Sequence, residues 1–184
     1  MNEATLWGKG VAQLISEFSL LPPAQRVELV TLLTRMGGLK EEIVALSDGA
    51  EGAAVCASCN GACCRVGKYH PAPLDLLTCF AAGELLVTPL FATGACPFLG
   101  AAGCRIIPSR RPFTCVIFIC HLIEARLSGE ALTRLSLMEE ELRRLRRETA
   151  ARFGRALAES FFLEMEQSGG EGVSFLTPPA TEVL

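Results

Sequence analysis

The stretch Cys56-Ala57-Ser58-Cys59-Asn60-Gly61-Ala62-Cys63-Cys64 decides the architecture, because it places four cysteines within nine residues. All nine cysteines of the chain lie between Cys56 and Cys120. Thiols packed so densely repel one another as thiolates, oxidise, or share a cation. The spacing C-x2-C-x3-C-C favours the shared cation, since two sulfurs separated by two residues can reach one tetrahedral ion.

The composition describes an ordered protein. The 184 residues are enough for one globular unit with a core, and half of them are hydrophobic against 20% charged. A formal net charge of -3 gives no general electrostatic case for binding nucleic acid. We see no secretory signal, and the apolar run 112–123 is too short to span a bilayer, so we expect a cytoplasmic protein without a membrane partner. In a reducing compartment, clustered cysteines are metal ligands or catalytic groups more often than disulfides.

Hydrophobic periodicity predicts a mostly α fold in which helices flank an irregular, loop-rich, cysteine-ligated metal core. Glycines and prolines exclude long regular elements from the cysteine-rich part. Gly37-Gly38 is expected to end a helix that begins after Pro22-Pro23 and buries Val27. The predicted helices cover 2–20, 24–36, 39–46, 75–82, 112–127 and 130–167. Asn2 is the expected cap of the first helix and Asp75 of the fourth. The inner face of the first helix is expected to consist of Leu6, Leu14, Ile15 and Phe18.

These patterns suggest a division of the single globular unit into four parts. They are an N-terminal helical segment (1–54), a cysteine-rich metal-binding core (55–127), a long C-terminal helix packed on the core (128–170) and a flexible tail (171–184).

The first cysteine group supplies up to four ligands. Cys56, Cys59 and Cys63 share a face even on a helical trace, at i, i+3 and i+7. Asn60-Gly61 tolerates the turn that aims backbone N–H groups at sulfur. Cys64 points elsewhere, so it serves a second metal, bridges two metals or remains a core thiol.

The second group is more dispersed. Cys96 and Cys104 bracket a Gly-rich loop, and Cys115 follows Pro112 near a predicted helix N-terminus, where the macrodipole lowers a thiol pKa. On an unbroken helix Cys120 lies about 140° around from Cys115, which makes it the weakest candidate. Cys79 is expected to be a small buried hydrophobe. The predicted metal ligands are therefore Cys56, Cys59, Cys63, Cys64, Cys96, Cys104, Cys115 and Cys120.

Charged residues permit two interpretations. Five cations between Cys56 and Cys120 either offset anionic sulfurs or are ordinary surface side chains; they are Arg65, Lys68, Arg105, Arg110 and Arg111. The run 143–147 is rich in arginine, but glutamates precede it at i,i+4 spacing. We therefore predict Glu139–Arg143 and Glu140–Arg144 pairs on a solvated helix face, and no nucleic-acid partner.

The residues resemble the cysteine-cluster proteins named for a C-x-x-C-x(2–3)-C-C signature and described as zinc- or iron-chelating. The resemblance rests on Cys56 to Cys64, on Cys96-Pro97-Phe98-Leu99 with Gly103-Cys104, and on Arg111-Pro112 leading to Cys115. It covers roughly residues 55–121 and implies a metal-binding domain. Related cysteine patterns occur in flagellin lysine methylases, which are thought to carry an iron–sulfur cluster. The flanking helices lie outside the resemblance.

The sequence leaves the metal and its use open. We expect zinc, with iron or an iron–sulfur cluster as the alternative, because all-sulfur ligation suits both. The histidines, His70 and His121, are not predicted ligands. A metal-stabilised module that binds a protein partner through its helical surface is one hypothesis. An iron–sulfur redox or catalytic protein and a metal store or sensor are the others, and whether the chain is an enzyme is left open.

Overall fold

A computed structural model describes residues 2–58, 62–91, 96–100 and 103–177. Its elements in chain order are α1 (Glu3–Leu20), α2 (Pro23–Gly49), α3 (Gly52–Ser58), α4 (Pro73–Ala81), β1 (Leu99–Gly100), β2 (Gly103–Cys104), α5 (Phe113–Ile117), α6 (His121–Glu124), α7 (Gly129–Phe153) and α8 (Phe161–Gln167). Short 3-10 turns occur at Ala62–Cys64, Gly67–Tyr69, Pro108–Arg110 and Arg155–Ala158. The prediction of a mostly α fold is confirmed.

Helix α1 begins as its sequence predicts. The side chain of Asn2 accepts a hydrogen bond from the Thr5 N–H at 2.8 Å, which caps the first turn. Leu6 and Leu14 are buried as expected, whereas Ile15 is 42% exposed and does not belong to the inner face.

Helix α2 runs without interruption through Gly37-Gly38, so the predicted helix end there is wrong. A Cβ at Gly37 would lie 3.4 Å from Arg110 Nη1 and 3.6 Å from the Ser109 carbonyl oxygen. The glycine therefore lets the Pro108–Arg110 turn approach the helix closely. Val27, predicted to be buried, is 69% exposed on the outer face.

The predicted helix 130–167 is divided at Gly154. This glycine has a φ of 135°, and a Cβ there would lie 2.6 Å from the Phe175 carbonyl oxygen. Helix α7 ends before it, and α8 turns back towards α1. The predicted helix 112–127 is likewise divided, because 118–120 leave the helical path between α5 and α6.

Residues 173–177 pack on the helices, in contrast to the predicted loose tail. The Phe175 and Leu176 N–H groups donate to Glu17 Oε2 at 2.9 and 2.7 Å. Phe175 is fully buried and stacks on Phe161 with ring centroids 5.4 Å apart. Residues 178–184 of the predicted tail lie outside the described residues.

One apolar core joins the long helices to the cysteine-bearing segment. Helix α2 packs along α7, and α1 packs against α8 and α4. Trp7 and the Phe161-Phe162 pair are buried in this core. Within the described ranges, no helix combines the length and apolar character that crossing a membrane needs.

Candidate functional site

Asp75 anchors the elements that surround the candidate site. It is the third residue of α4 rather than the predicted cap, and its carboxylate forms a buried ion pair with Lys40 Nζ of α2 at 2.6 Å. The carboxylate also accepts the Ala72 N–H at 2.9 Å and the Phe113 N–H at 3.2 Å. One buried carboxylate therefore fixes the start of α4 and the start of α5 relative to α2.

These two helix starts bring an imidazole to a thiol. His70 lies just before α4, Cys115 is the third residue of α5, and His70 Nδ1 is 3.2 Å from Cys115 Sγ. Burial lowers the pKa of His70 and raises the pKa of Cys115. Both groups are therefore neutral at pH 7, and in the imidazole tautomer that carries its proton on Nε2 the thiol donates to His70 Nδ1.

Two further thiols, Cys96 and Cys104, act electrostatically on this pair, although no described cysteine lies at disulfide distance from another. The Cys96 side chain is packed on the backbone of Gly67, where an added Cβ would be 2.4 Å from its sulfur. Burial raises the pKa of Cys96, and the charge of Cys104 contributes. The charges of Cys104 and Cys96 also contribute to the raised pKa of Cys115. We call His70, Cys96, Cys104 and Cys115 the thiol–imidazole site.

Exposure distinguishes the thiols of this site. Cys104, on the two-residue strand β2, is exposed, whereas Cys115 is half-buried and Cys96 is buried. Because access limits thiol chemistry, Cys104 is the sulfur that an external reagent meets first.

The expected lowering of the Cys115 pKa by a helix N-terminus is wrong. Helix α5 spans only Phe113–Ile117, so few peptide dipoles align behind the thiol. Desolvation is the larger effect, and it disfavours the thiolate.

The prediction of a metal-binding protein is wrong for the part of the chain that the structure describes. No three or more His, Cys, Asp or Glu side chains there form a group that could hold a metal ion. Cys115 is bonded to His70, and Cys96 is packed onto Gly67. The same finding overturns the iron–sulfur alternative for those residues.

The remaining predicted ligands do not belong to the thiol–imidazole site as defined above or lie outside the described residues. Cys56 is on α3, and Cys120 packs against a small separate apolar cluster that contains Val55 and Ile123. Cys64 is half-buried in the Ala62–Cys64 turn, and its charge also acts on Cys115. Cys59 and the side chain of Cys63 lie outside the described residues.

The cations of the cysteine-rich segment mostly serve other partners. Lys68 pairs with Glu3 at 2.7 Å and Glu166 at 3.3 Å, and Arg110 pairs with Glu84 at 3.3 Å. The hydrogen bond to Glu3 is the main cause of the raised pKa of Lys68. These interactions favour ordinary structural roles over compensation of anionic sulfur.

The arginine run on α7 is also paired. Arg143 bonds Glu139 as predicted, whereas Arg144 bonds Glu141 and Glu148 instead of Glu140. Arg146 lies over the Phe113 ring, 4.8 Å from its centroid, and donates to a backbone carbonyl.

His70 is the functional residue that the sequence did not assign to the site. Its position 45 residues before Cys115 gives no spacing signal, because tertiary contacts, among them those of Asp75 with Ala72 and Phe113, bring the two together. Cys79 is buried as predicted, with 8% exposure.

Comparison of the chain with protein-family models, curated proteins and solved structures found no match. The resemblance to the cysteine-cluster family therefore stays a prediction. So do zinc or iron as cofactor, the four-part division of the chain, the cytoplasmic location and a protein partner on the helical surface.

Proposed function

We propose that this chain is a thiol–disulfide redox protein in which Cys104 and Cys115 interconvert between two thiols and one disulfide. The observation that carries the proposal is the 3.2 Å contact between His70 Nδ1 and Cys115 Sγ. A thiol beside an imidazole has a proton acceptor within hydrogen-bond reach, which is the arrangement that nucleophilic sulfur needs.

The oxidant that we propose is a low-molecular-weight disulfide, RSSR. The exposed Cys104 loses its proton to solvent and attacks one sulfur of RSSR, which forms a mixed disulfide and releases RS⁻. That thiolate takes up a proton and leaves as RSH.

Disulfide closure follows within the protein. The described cysteines do not lie at disulfide distance from one another, so the segment that carries Cys104 moves towards Cys115 before the bond forms. Cys115 transfers its proton to His70 Nδ1 and attacks the Cys104 sulfur, so that the second RS⁻ leaves and is protonated by the imidazolium. Two protein thiols are oxidised, one RSSR is reduced to two RSH, and His70 returns to its neutral form. The same steps run backwards when RSH is in excess.

Cys115 is favoured over Cys96 as the second thiol because of its proton acceptor. Cys96 is buried against the Gly67 backbone, and its sulfur has no imidazole contact among the described residues. The predicted disulfide is therefore Cys104–Cys115, with Cys96 remaining a thiol.

Oxidation of the reduced full chain by glutathione disulfide tests this function. We expect two thiols to disappear and peptide mapping to recover a Cys104–Cys115 bridge. Cys115→Ser should stop at a glutathione adduct on Cys104, whereas the matched control Cys79→Ala should still form the bridge.

Three outcomes contradict the proposal. They are a bridge between other cysteines, a Cys115→Ser protein that acquires no adduct on Cys104, and purified protein whose thiols are protected by stoichiometric zinc or iron.

A further inference from the structure

A cavity of about 120 Å³ lies beside the thiol–imidazole site and plays no part in the proposed redox step. Its walls are mostly apolar and come from α1, α4, the segment after α4 and the residues that flank the β-hairpin. Four of the apolar lining side chains are buried; they are Trp7, Leu76, Phe98 and Ile106. An apolar cavity of about 150 Å³ in another protein stays dry and binds benzene, so this one has room for about one ring.

The rim of the cavity carries an unbalanced positive charge. Arg110 is compensated by Glu84, and the Asp75 carboxylate on the wall is compensated by Lys40. Arg105 donates to the Thr88 carbonyl oxygen at 3.0 Å and forms no ion pair with any residue that the structure describes. One guanidinium at the rim therefore has no charge partner within the described part of the chain.

Two contacts fix the position of the Arg105 side chain: the hydrogen bond to Thr88 and the packing of its stem on Gly100. A Cβ at Gly100 would lie 3.0 Å from Arg105 Cγ, so the glycine gives the arginine stem a surface to lie on. The Thr88 carbonyl engages only Nη1, which leaves further donors of the guanidinium for a ligand.

The mouth of the cavity exposes apolar side chains. Leu85 is 96% exposed and Ile107 is 51% exposed, and both belong to the lining. An apolar body that enters between them would remove part of this surface from water, which is favourable by about 25 cal/mol per Å².

From these observations we infer that the cavity binds a small carboxylate with an apolar body, such as a monocyclic aromatic acid. The ring would occupy the apolar walls, and the carboxylate would pair with Arg105, whose planar fork suits two parallel hydrogen bonds. The inference does not depend on the redox function.

Benzoate, benzamide and acetate are the probes that test it. Trp7 is the only tryptophan and lines the cavity, so its fluorescence reports binding to the full chain. We expect benzoate to bind at least tenfold more tightly than benzamide, which lacks the charge, and than acetate, which lacks the ring.

Arg105→Gln should weaken benzoate about tenfold and leave benzamide unchanged. The matched control is Arg126→Gln, which removes an exposed arginine paired with Glu51 and should change neither affinity. Val87→Trp, which fills the cavity, should abolish benzoate binding while the circular dichroism spectrum stays native.

Equal affinities for benzoate and acetate would overturn the inference, as would an Arg105→Gln protein that binds benzoate normally. Absence of any benzoate-dependent Trp7 signal together with absence of heat in calorimetry would overturn it as well.

Discussion

The helical framework and the cysteine-bearing segment are stabilised in different ways. The framework, which consists of α1, α2, α7 and α8, buries large side chains such as Leu14, Leu142 and Phe161 completely. The described residues of the segment from Cys56 to Cys120 form only short elements, and individual polar contacts of Asp75 help to fix their positions. Both regions contribute to one apolar core, and the comparison shows that the thiol–imidazole site depends in addition on a few buried hydrogen bonds and one buried ion pair.

The largest effect is expected where the two regions are joined. Lys40→Met leaves the Asp75 carboxylate buried without its cation, so we expect a loss of about 3–5 kcal/mol in the free energy of unfolding, measured with urea. Arg35→Met is the matched control, because it removes an exposed cation of the same helix that pairs with Glu141. It should cost less than about 1 kcal/mol. Equal losses in the two variants would contradict a special role for the buried pair.

A steric change inside the framework should have the next largest effect. A Cβ at Gly10 would meet Phe161 Cζ at 2.5 Å and Met165 Sδ at 2.8 Å, so Gly10→Ala should destabilise by about 1–3 kcal/mol. Gly8 lies on the same helix with open space around it. Gly8→Ala should stabilise the protein by about 0.5–1 kcal/mol, and thermal unfolding of the two variants distinguishes these signs.

The matching change in the cysteine-bearing segment should act locally. A Cβ at Gly67 would lie 2.4 Å from the Cys96 sulfur and 2.8 Å from the Cys96 Cβ, so we expect Gly67→Ala to destabilise by about 1–3 kcal/mol. The rate at which a small thiol reagent labels Cys96 should rise, because the sulfur is displaced from its buried position. Gly10→Ala serves as the control here, and an equal rise in that variant would show that the effect is not local.

Sequence periodicity predicted the framework better than the segment. The cap at Asn2 and the buried Leu6 and Leu14 follow from local pattern, and the structure confirms them. The helix ends at Gly37 and Gly154 were both predicted wrongly, since α2 continues through Gly37 and α7 ends before Gly154. A glycine that ends a helix and a glycine that lets another segment of the same chain approach closely look alike in sequence.

Of the candidate site, the sequence predicted only that cysteines take part in it. Cysteine spacing suggested a shared cation, yet the partner of Cys115 is an imidazole that reaches it through the start of α4. Tertiary contacts of Asp75 create this neighbourhood, and no periodicity encodes them. Burial also reversed the expected direction of the Cys115 pKa shift.

The smallest effect is expected at the surface of the framework. A hydrogen bond from Arg144 lowers the pKa of Glu141, so the folded state binds fewer protons there than the unfolded state. This stabilisation is present above the ordinary Glu pKa of about 4.3 and is lost as the pH falls through the lowered value. Stability measured from neutral pH to about pH 3 should fall slightly more steeply in wild type than in Glu141→Gln. Parallel curves would contradict the shift.

The most direct test of the central claim is the rate of disulfide closure after Cys104 has been converted to its glutathione adduct. If His70 accepts the Cys115 proton, His70→Ala should slow closure by about 10²-fold or more, while formation of the adduct itself stays unchanged. His121→Ala removes the other histidine, which is exposed on α6, and should close at the wild-type rate. Closure by His70→Ala as fast as by His121→Ala would contradict the account.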